Sequence, residues 1–371
     1  MLDSPSLITT LFAFLLVLGP LIVIHELGHY LVGRWFGVKA EVFSVGFGRE
    51  IAGWTDSRGT RWKLSLLPLG GYVQFAGDMN AVSSPGETDP SLTEAERAQT
   101  FHHKSLWQRS LIVLAGPMTN LLFAVAVFAA FNLAYGKMVA STEIAQFAKN
   151  SVAQQAGMEI GDRILSVDGT EVSGFTDIPP LIVPYPGRAV EVTVQRQSRQ
   201  LDIPVTIGTV IDRDRFGNEA RIGRLGIGAG KIDIVDVGPL ESLSLGLEQS
   251  LGTMKMMATG IGQIFSGERS IKELGGPVKI AKFSGEQFSL GWSKFVSFVA
   301  LISINLAFIN LLPIPALDGG HLAFYAAEAV RRKPLGLQTQ EWAVRTGLAL
   351  VLALMLFVTI NDLASLAIFG G

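Results

Sequence analysis

The pentapeptide His25-Glu26-Leu27-Gly28-His29 lies inside an apolar run, Leu11 to Val32, that is hydrophobic enough to cross a bilayer. Two histidines four residues apart share one face of a helix, so their ring nitrogens can converge on a single ion. In a soluble chain an H-E-x-x-H pattern is a weak signal. Within an apolar span it gains weight, because a charged side chain at the membrane centre costs about 2.5–3.5 kcal/mol on insertion scales. A metal site in that setting points to hydrolysis carried out within the membrane.

Composition agrees with a membrane setting. Of 371 residues, 49% are hydrophobic and 17% charged, against about a quarter charged in soluble domains. The net charge of -2 gives no reason to expect a nucleic-acid partner. The absence of Cys removes disulfides, thiolate zinc ligands and cysteine nucleophiles. The N-terminus lacks the basic region of a signal peptide, so the first apolar segment is expected to be retained as a span.

Four stretches reach spanning length: Leu7–Tyr30, Ser110–Tyr135, Lys294–Leu312 and Val344–Ile360. Lys and Arg concentrate between the first and second spans and in the Arg331-Arg332-Lys333 connection. By the positive-inside rule these connections face the cytoplasm, and both termini and the long middle segment face away from it. The expected fold is a polytopic α-helical membrane protein with about four transmembrane helices. Arg61–Phe75 has strand-like stretches broken at Pro68 and Gly70-Gly71 and reads as an apolar hairpin, about 61–77. A hairpin dipping into the bilayer would have to lie against the spans, since bare strand edges are forbidden in lipid. Asp78 to Thr100 reads as a solvated polar loop. The expected divisions are 1–136, a first membrane part; 137–230, a compact soluble domain; 231–290, a linker with an amphipathic helix; and 291–371, a second membrane part. Pro239–Phe265 carries leucines, methionines and isoleucines at spacings of three and four and is read as an interfacial helix.

A zinc hydrolase needs three protein ligands and an open position. His25 and His29 supply two, and Glu26 is the natural general base. The candidates for the third are Asp318, His321, His102, His103, Asp362 and Glu41. The first and third spans cross in the same direction, so their C-terminal ends share one side. Asp318 follows the third span there, whereas Asp362 follows the antiparallel fourth. The surrounding Asn310-Leu-Leu-Pro-Ile-Pro-Ala-Leu-Asp-Gly-Gly320 cannot continue a helix through its prolines. The plainer reading of Asp318 is an N-cap for a helix after Gly320. His321 reads as a polar residue within that helix, and His102 and His103 as interfacial residues.

These paired motifs, H-E-x-x-H in the first span and N-x-x-P-x-P-x-L-D-G after the third, resemble the site-2 proteases, the intramembrane zinc metalloproteases. The chain is most similar to their regulator-of-sigma-E branch, also called RIP metalloproteases. Leu69-Gly-Gly-Tyr72, Ala115-Gly-Pro-Met-Thr-Asn120 and Gly275-Gly-Pro-Val-Lys-Ile-Ala281 also fit that branch. The run Ala156-Gly-Met-Glu-Ile-Gly-Asp-Arg-Ile-Leu-Ser-Val-Asp-Gly169 resembles PDZ domains of bacterial proteases. The resemblance implies zinc held by His25, His29 and Asp318, with Glu26 as catalytic base. It implies that Asn310 and Asn305 hold the substrate backbone or oxyanion. It also implies that a membrane re-entrant β-hairpin, with Gly70, Gly71 and Tyr72, pairs with unwound substrate. One extracytoplasmic, mainly β PDZ domain is expected in 137–230, where well-known members of the branch carry two.

The expected activity is intramembrane cleavage of single-span membrane proteins, by resemblance anti-sigma factors and remnant signal peptides. An upstream site-1 type protease would first shorten the ectodomain. The expected location is a bacterial inner membrane, with the termini and PDZ domain periplasmic and the active site toward the cytoplasm. The alternative is a non-catalytic PDZ-bearing scaffold with a structural metal site. Glu26 argues against it, because a structural zinc is usually closed by four protein ligands. A metal transporter would need polar residues along several spans, and the second and fourth offer few.

Overall fold

The computed structural model describes residues 5–77, 93–213, 219–230, 232–333 and 335–365. Most of the expected polar loop, 78–92, lies outside them. The chain divides into two compact units, residues 1–128 with 275–362 and residues 129–274 with 363–371.

Four helices are long and apolar enough to cross a membrane: Leu7–Trp35, Leu106–Tyr135, Trp292–Leu311 and Gln338–Ala364. Each matches an expected span, and the first, second and fourth run longer than their apolar cores. Helix-forming polar residues such as Gln338, Gln340 and Glu341 carry the fourth beyond its hydrophobic stretch. The third stops where expected. Leu312 turns extended (φ -64, ψ 141) because it precedes Pro313, whose ring disfavours helix at the residue before it.

In the first unit, the first and third spans share a core of Ala13, Val17, Leu21, Phe295, Val299 and Ile302. The first and second spans meet at small residues. A Cβ on Gly28 would sit 2.4 Å from the Ala115 carbonyl oxygen, so only glycine permits this approach. Beside it the Thr119 hydroxyl donates to the Ile24 carbonyl at 3.0 Å.

The hairpin differs from expectation. The stretch β2, Arg61–Phe75, pairs with β1, Ala40–Thr55, through two separate halves. Arg61–Leu64 and Gly71–Gln74 both lie against Val42–Val45, one on each side, so the chain folds back between them around Pro68 and Gly70. The turn is at Asp56–Thr60, where the Asp56 carboxylate accepts from the Arg58 and Thr60 amides at 2.9 Å each. Asp56 closes this turn and Gly59 takes φ +83. The expected break is therefore present, but the halves on either side of it pair with β1 and not with each other, so the paired region spans 40–75 rather than 61–77. The Glu94/Glu96/Arg97 cluster, read as solvated loop, forms a one-turn helix in which Thr93 and Glu96 make a reciprocal cap.

The second unit is mainly β. Its four-stranded antiparallel sheet runs in the order Thr170–Glu171, Arg163–Val167, Ala189–Arg196, Arg199–Thr206. Two further ladders are long-range: Ile227–Ala229 on Ile144–Phe147, and Ile232–Val235 on Lys137–Ala140. Ile144, Ile164, Val167, Val192, Val194 and Ile207 form the core. Val190, Val192 and Val194 face it on alternate positions, as the pattern predicts. A 27-residue helix, Pro239–Phe265, follows, matching the expected amphipathic stretch, with Leu240, Leu243, Leu247 and Leu251 exposed.

Candidate active site

The first span carries His25, Glu26 and His29 on consecutive turns of one continuous helix. Helical spacing brings the two Nε2 atoms to 3.2 Å. The outer nitrogen of His29, Nδ1, lies 2.9 Å from the Ile112 carbonyl of the second span. A carbonyl only accepts, so Nδ1 carries the proton and Nε2 presents a lone pair. The outer nitrogen of His25 faces the Asn120 side-chain amide at 3.4 Å.

Asp318 arrives from the other end of the first unit's sequence. After Leu312 the chain turns through Pro313-Ile314-Pro315-Ala316, with Ala316 forced to φ +81. Leu317 is the N-cap, so Asp318 is the first helical residue of Asp318–Arg331. The plainer expectation, Asp318 as an N-cap, is therefore not met. Gly319 is required next to it, since a Cβ would stand 2.2 Å from the Leu312 carbonyl oxygen. The turn aims Asp318 Oδ2 at the histidines, 3.2 Å from His25 Nε2 and 3.5 Å from His29 Nε2. That oxygen is buried and has no hydrogen-bond partner, despite the two close nitrogens.

Three donor atoms thus form a triangle with sides of 3.2, 3.2 and 3.5 Å. Tetrahedral zinc with bonds of about 2.0–2.1 Å requires ligand–ligand edges of about 3.3–3.4 Å. The donor set, two imidazoles and a carboxylate, and the buried oxygen without a hydrogen bond both fit that ion. Among the described residues, these three are the only His, Asp and Glu group arranged to hold a metal.

Glu26 lies beside the triangle and is 8% exposed. Strand β2 passes against it: a Cβ on Gly71 would sit 3.0 Å from Glu26 Cγ. A cavity of about 330 Å³ opens over the cluster, lined by the three donors, Glu26, Gly71, Tyr72, Asn310 and His321. The structure therefore brings His25, Glu26, His29, Asp318, Asn310, Gly71 and Tyr72 together. Asn305 and Gly70 are not among the lining residues; Gly70 instead lies against the Phe47 ring, which does line the cavity. Asp362 is elsewhere: it accepts from the Gly276 and Lys279 amides at 3.0 Å each and caps the helix Pro277–Ser289. His103 pairs with the Thr100 hydroxyl at 2.7 Å.

Sequence reasoning missed the second span's part in the site. Ile112 supplies the carbonyl behind His29, and Asn120 stands behind His25. Gly116 lies between them, where a Cβ would be 2.2 Å from His29 Nε2. A Gly and an Asn four apart in an apolar helix were the available signal.

The family comparison bears on the same residues. The model of peptidase family M50 matches residues 13–354, from the first span to the fourth. The chain belongs to peptidase family M50, the site-2 protease family. An Agrobacterium fabrum protein named "Putative zinc metalloprotease" is 41% identical over 358 residues, 95% of each chain. A Rhizobium meliloti protein of the same name is 40% identical over 368 residues, 98% of each. The metalloprotease MmpA of Caulobacter vibrioides is 33% identical over 385 residues, 97% of this chain and 96% of that one. The M50 chain described here is accordingly a zinc metalloprotease, and its four apolar helices make it an integral membrane protein.

Proposed function

We propose that this protease cleaves single-span membrane proteins within or near their transmembrane segments. His25, His29 and Asp318 hold the zinc, and Glu26 is the catalytic base. The observation that carries this reading is the donor triangle, whose 3.2–3.5 Å sides suit tetrahedral zinc. Zinc bound there supplies a Lewis acid that polarises the scissile carbonyl and makes water acidic near neutral pH. Glu26, next to His25 and nearly buried, takes the proton from the attacking water and returns it to the leaving amine. Asn310, on the cavity wall, donates its amide to the substrate carbonyl as charge develops there. Asn305, on the same helix, is by the family resemblance a second residue that holds the substrate backbone or oxyanion.

A transmembrane helix hides its carbonyls in its own hydrogen bonds, so substrate must unwind before cleavage. Strand β2, with Gly70, Gly71 and Tyr72, lies next to Glu26 and offers a backbone ladder for an extended segment. Phe47, Ile51, Trp54, Leu64, Leu66 and Leu67 are exposed on this hairpin, which suits immersion as a re-entrant element covered by the spans. The PDZ reading of 137–230 is supported by the antiparallel sheet and by the glycine turns of its signature run, Gly157 at φ +96 and Gly161 at φ +92. In this reading the domain screens ectodomains on the periplasmic side of a bacterial inner membrane, with both termini on that side and the active site toward the cytoplasm. Substrates are anti-sigma-factor-like proteins or remnant signal peptides, trimmed beforehand by a site-1 type protease.

The test is cleavage of a model single-span substrate in detergent or vesicles. Glu26→Gln is expected to keep about one zinc per chain and to lose about 10²–10⁴-fold in rate. Equal cleavage by both proteins, or a wild-type protein without metal, would sink the reading.

A further inference from the structure

We propose that Asn120 is a positioning residue of the metal site: its side-chain amide selects the His25 tautomer that leaves Nε2 bare for zinc. This rests on the reading of His25 as a zinc ligand through Nε2.

Asn120 is fully buried in the second span. A buried amide in an apolar helix is costly unless partnered, and marks a functional position by default. Its Nδ2 stands 3.4 Å from His25 Nδ1, while its Oδ1 is buried without a partner. The two histidines are therefore backed differently. Behind His29 is the Ile112 carbonyl, which accepts and so fixes one tautomer. Behind His25 is an amide that can present either end, and its O and N ends are alike in shape. With Nδ2 toward His25, the proton must sit on Nε2, which faces Asp318 Oδ2 at 3.2 Å. With Oδ1 toward His25, Nδ1–H donates to Asn120 and Nε2 is free to ligate. The buried Oδ1 has no other partner, so turning it to His25 satisfies both groups at once and favours the tautomer that leaves Nε2 bare.

The placement is built in at two points. Gly116 and Asn120, four apart on the second span, face His29 and His25, four apart on the first. The Ser303 hydroxyl of the third span donates to the Asn120 carbonyl at 2.8 Å and pins that turn. Metal-ligating histidines generally need such an outer acceptor, and its loss costs about 10–100-fold in metal affinity.

The experiment measures zinc affinity of the full chain in detergent by competition with a chelating dye, beside its thermal transition. Wild type, His25→Ala, Asn120→Asp, Asn120→Leu and Asn120→Ala are compared. Asp matches Asn in size and Leu shares its branching at Cγ, but only Asp offers an acceptor. The inference predicts that Asn120→Asp binds zinc at least as tightly as wild type, and that Asn120→Leu and Asn120→Ala bind about 10–100-fold more weakly. Should Asn120→Leu fail to fold, Asn120→Ala carries the comparison. Apolar variants within twofold of wild type, or Asn120→Asp as weak as the apolar variants, would overturn the inference alone. A wild type that binds no zinc, or His25→Ala at full affinity, would overturn the site reading and this inference with it.

Discussion

At the residue scale, the site was legible where spacing and topology constrain chemistry. His25, Glu26 and His29 were readable because helical period puts the histidines on one face. Asp318 was readable because span direction leaves few acids on the right side. Gly116 and Asn120, four apart on one helix face, were the one local signal for the second span's part, but how closely the two helices approach, and so the role of Ile112, comes from tertiary packing. Gly116 gives the cleanest residue prediction. Its Cβ position is 2.2 Å from His29 Nε2 and 2.9 Å from His25 Cε1. Gly116→Ala should therefore push the imidazoles apart and lower zinc occupancy at least tenfold under limiting metal, as measured by metal analysis of purified protein. Gly19 lies in the first span with nothing near its Cβ position, so Gly19→Ala should leave occupancy unchanged.

At the element scale, the spans were legible because about 20 apolar residues admit few other structures. The hairpin was legible in kind but not in register. Pro68 and Gly70-Gly71 do break β2, but its two halves settle on opposite sides of Val42–Val45, a long-range pairing that leaves no local trace. Gly71 shows what glycine does there. A side chain would start 2.7 Å from the Ser44 carbonyl oxygen, 2.8 Å from Ile22 and 3.0 Å from Glu26. Gly71→Val is expected to shift β2 away from Glu26 and cut cleavage by at least tenfold while leaving zinc content near one per chain. Loss of zinc and cleavage together would place the effect on the first span instead of the strand.

At the scale of the whole molecule, the alternating strands of the second unit were legible, but its sheet order was not. Ile232–Val235 pairs with Lys137–Ala140 across nearly the full unit, and such pairings leave no local trace. The signature run can now be read physically. Arg196 donates to both Asp162 oxygens at 2.8 Å, to Glu159 at 2.6 Å and to the Gly157 carbonyl at 2.8 Å. The guanidinium holds the Asp162 carboxyl below its usual range. A depressed carboxyl contributes stability that is full above its unfolded pKa and is lost as pH falls through the folded one. Arg196→Leu should thus destabilise this unit at neutral pH. The deficit should shrink in strong acid, as read by the denaturant midpoint for proteolysis within 137–230. A deficit that stays constant with pH would contradict the assignment.

The central claim is that one zinc sits among His25, His29 and Asp318, and zinc-edge X-ray absorption of the loaded full chain tests it most directly. The expected result is a four-coordinate shell of nitrogen and oxygen at about 2.0–2.1 Å, with scattering from two imidazole rings. That signal should fall to one ring in His29→Ala. A shell without imidazole scattering, or one unchanged by His29→Ala, would contradict the account.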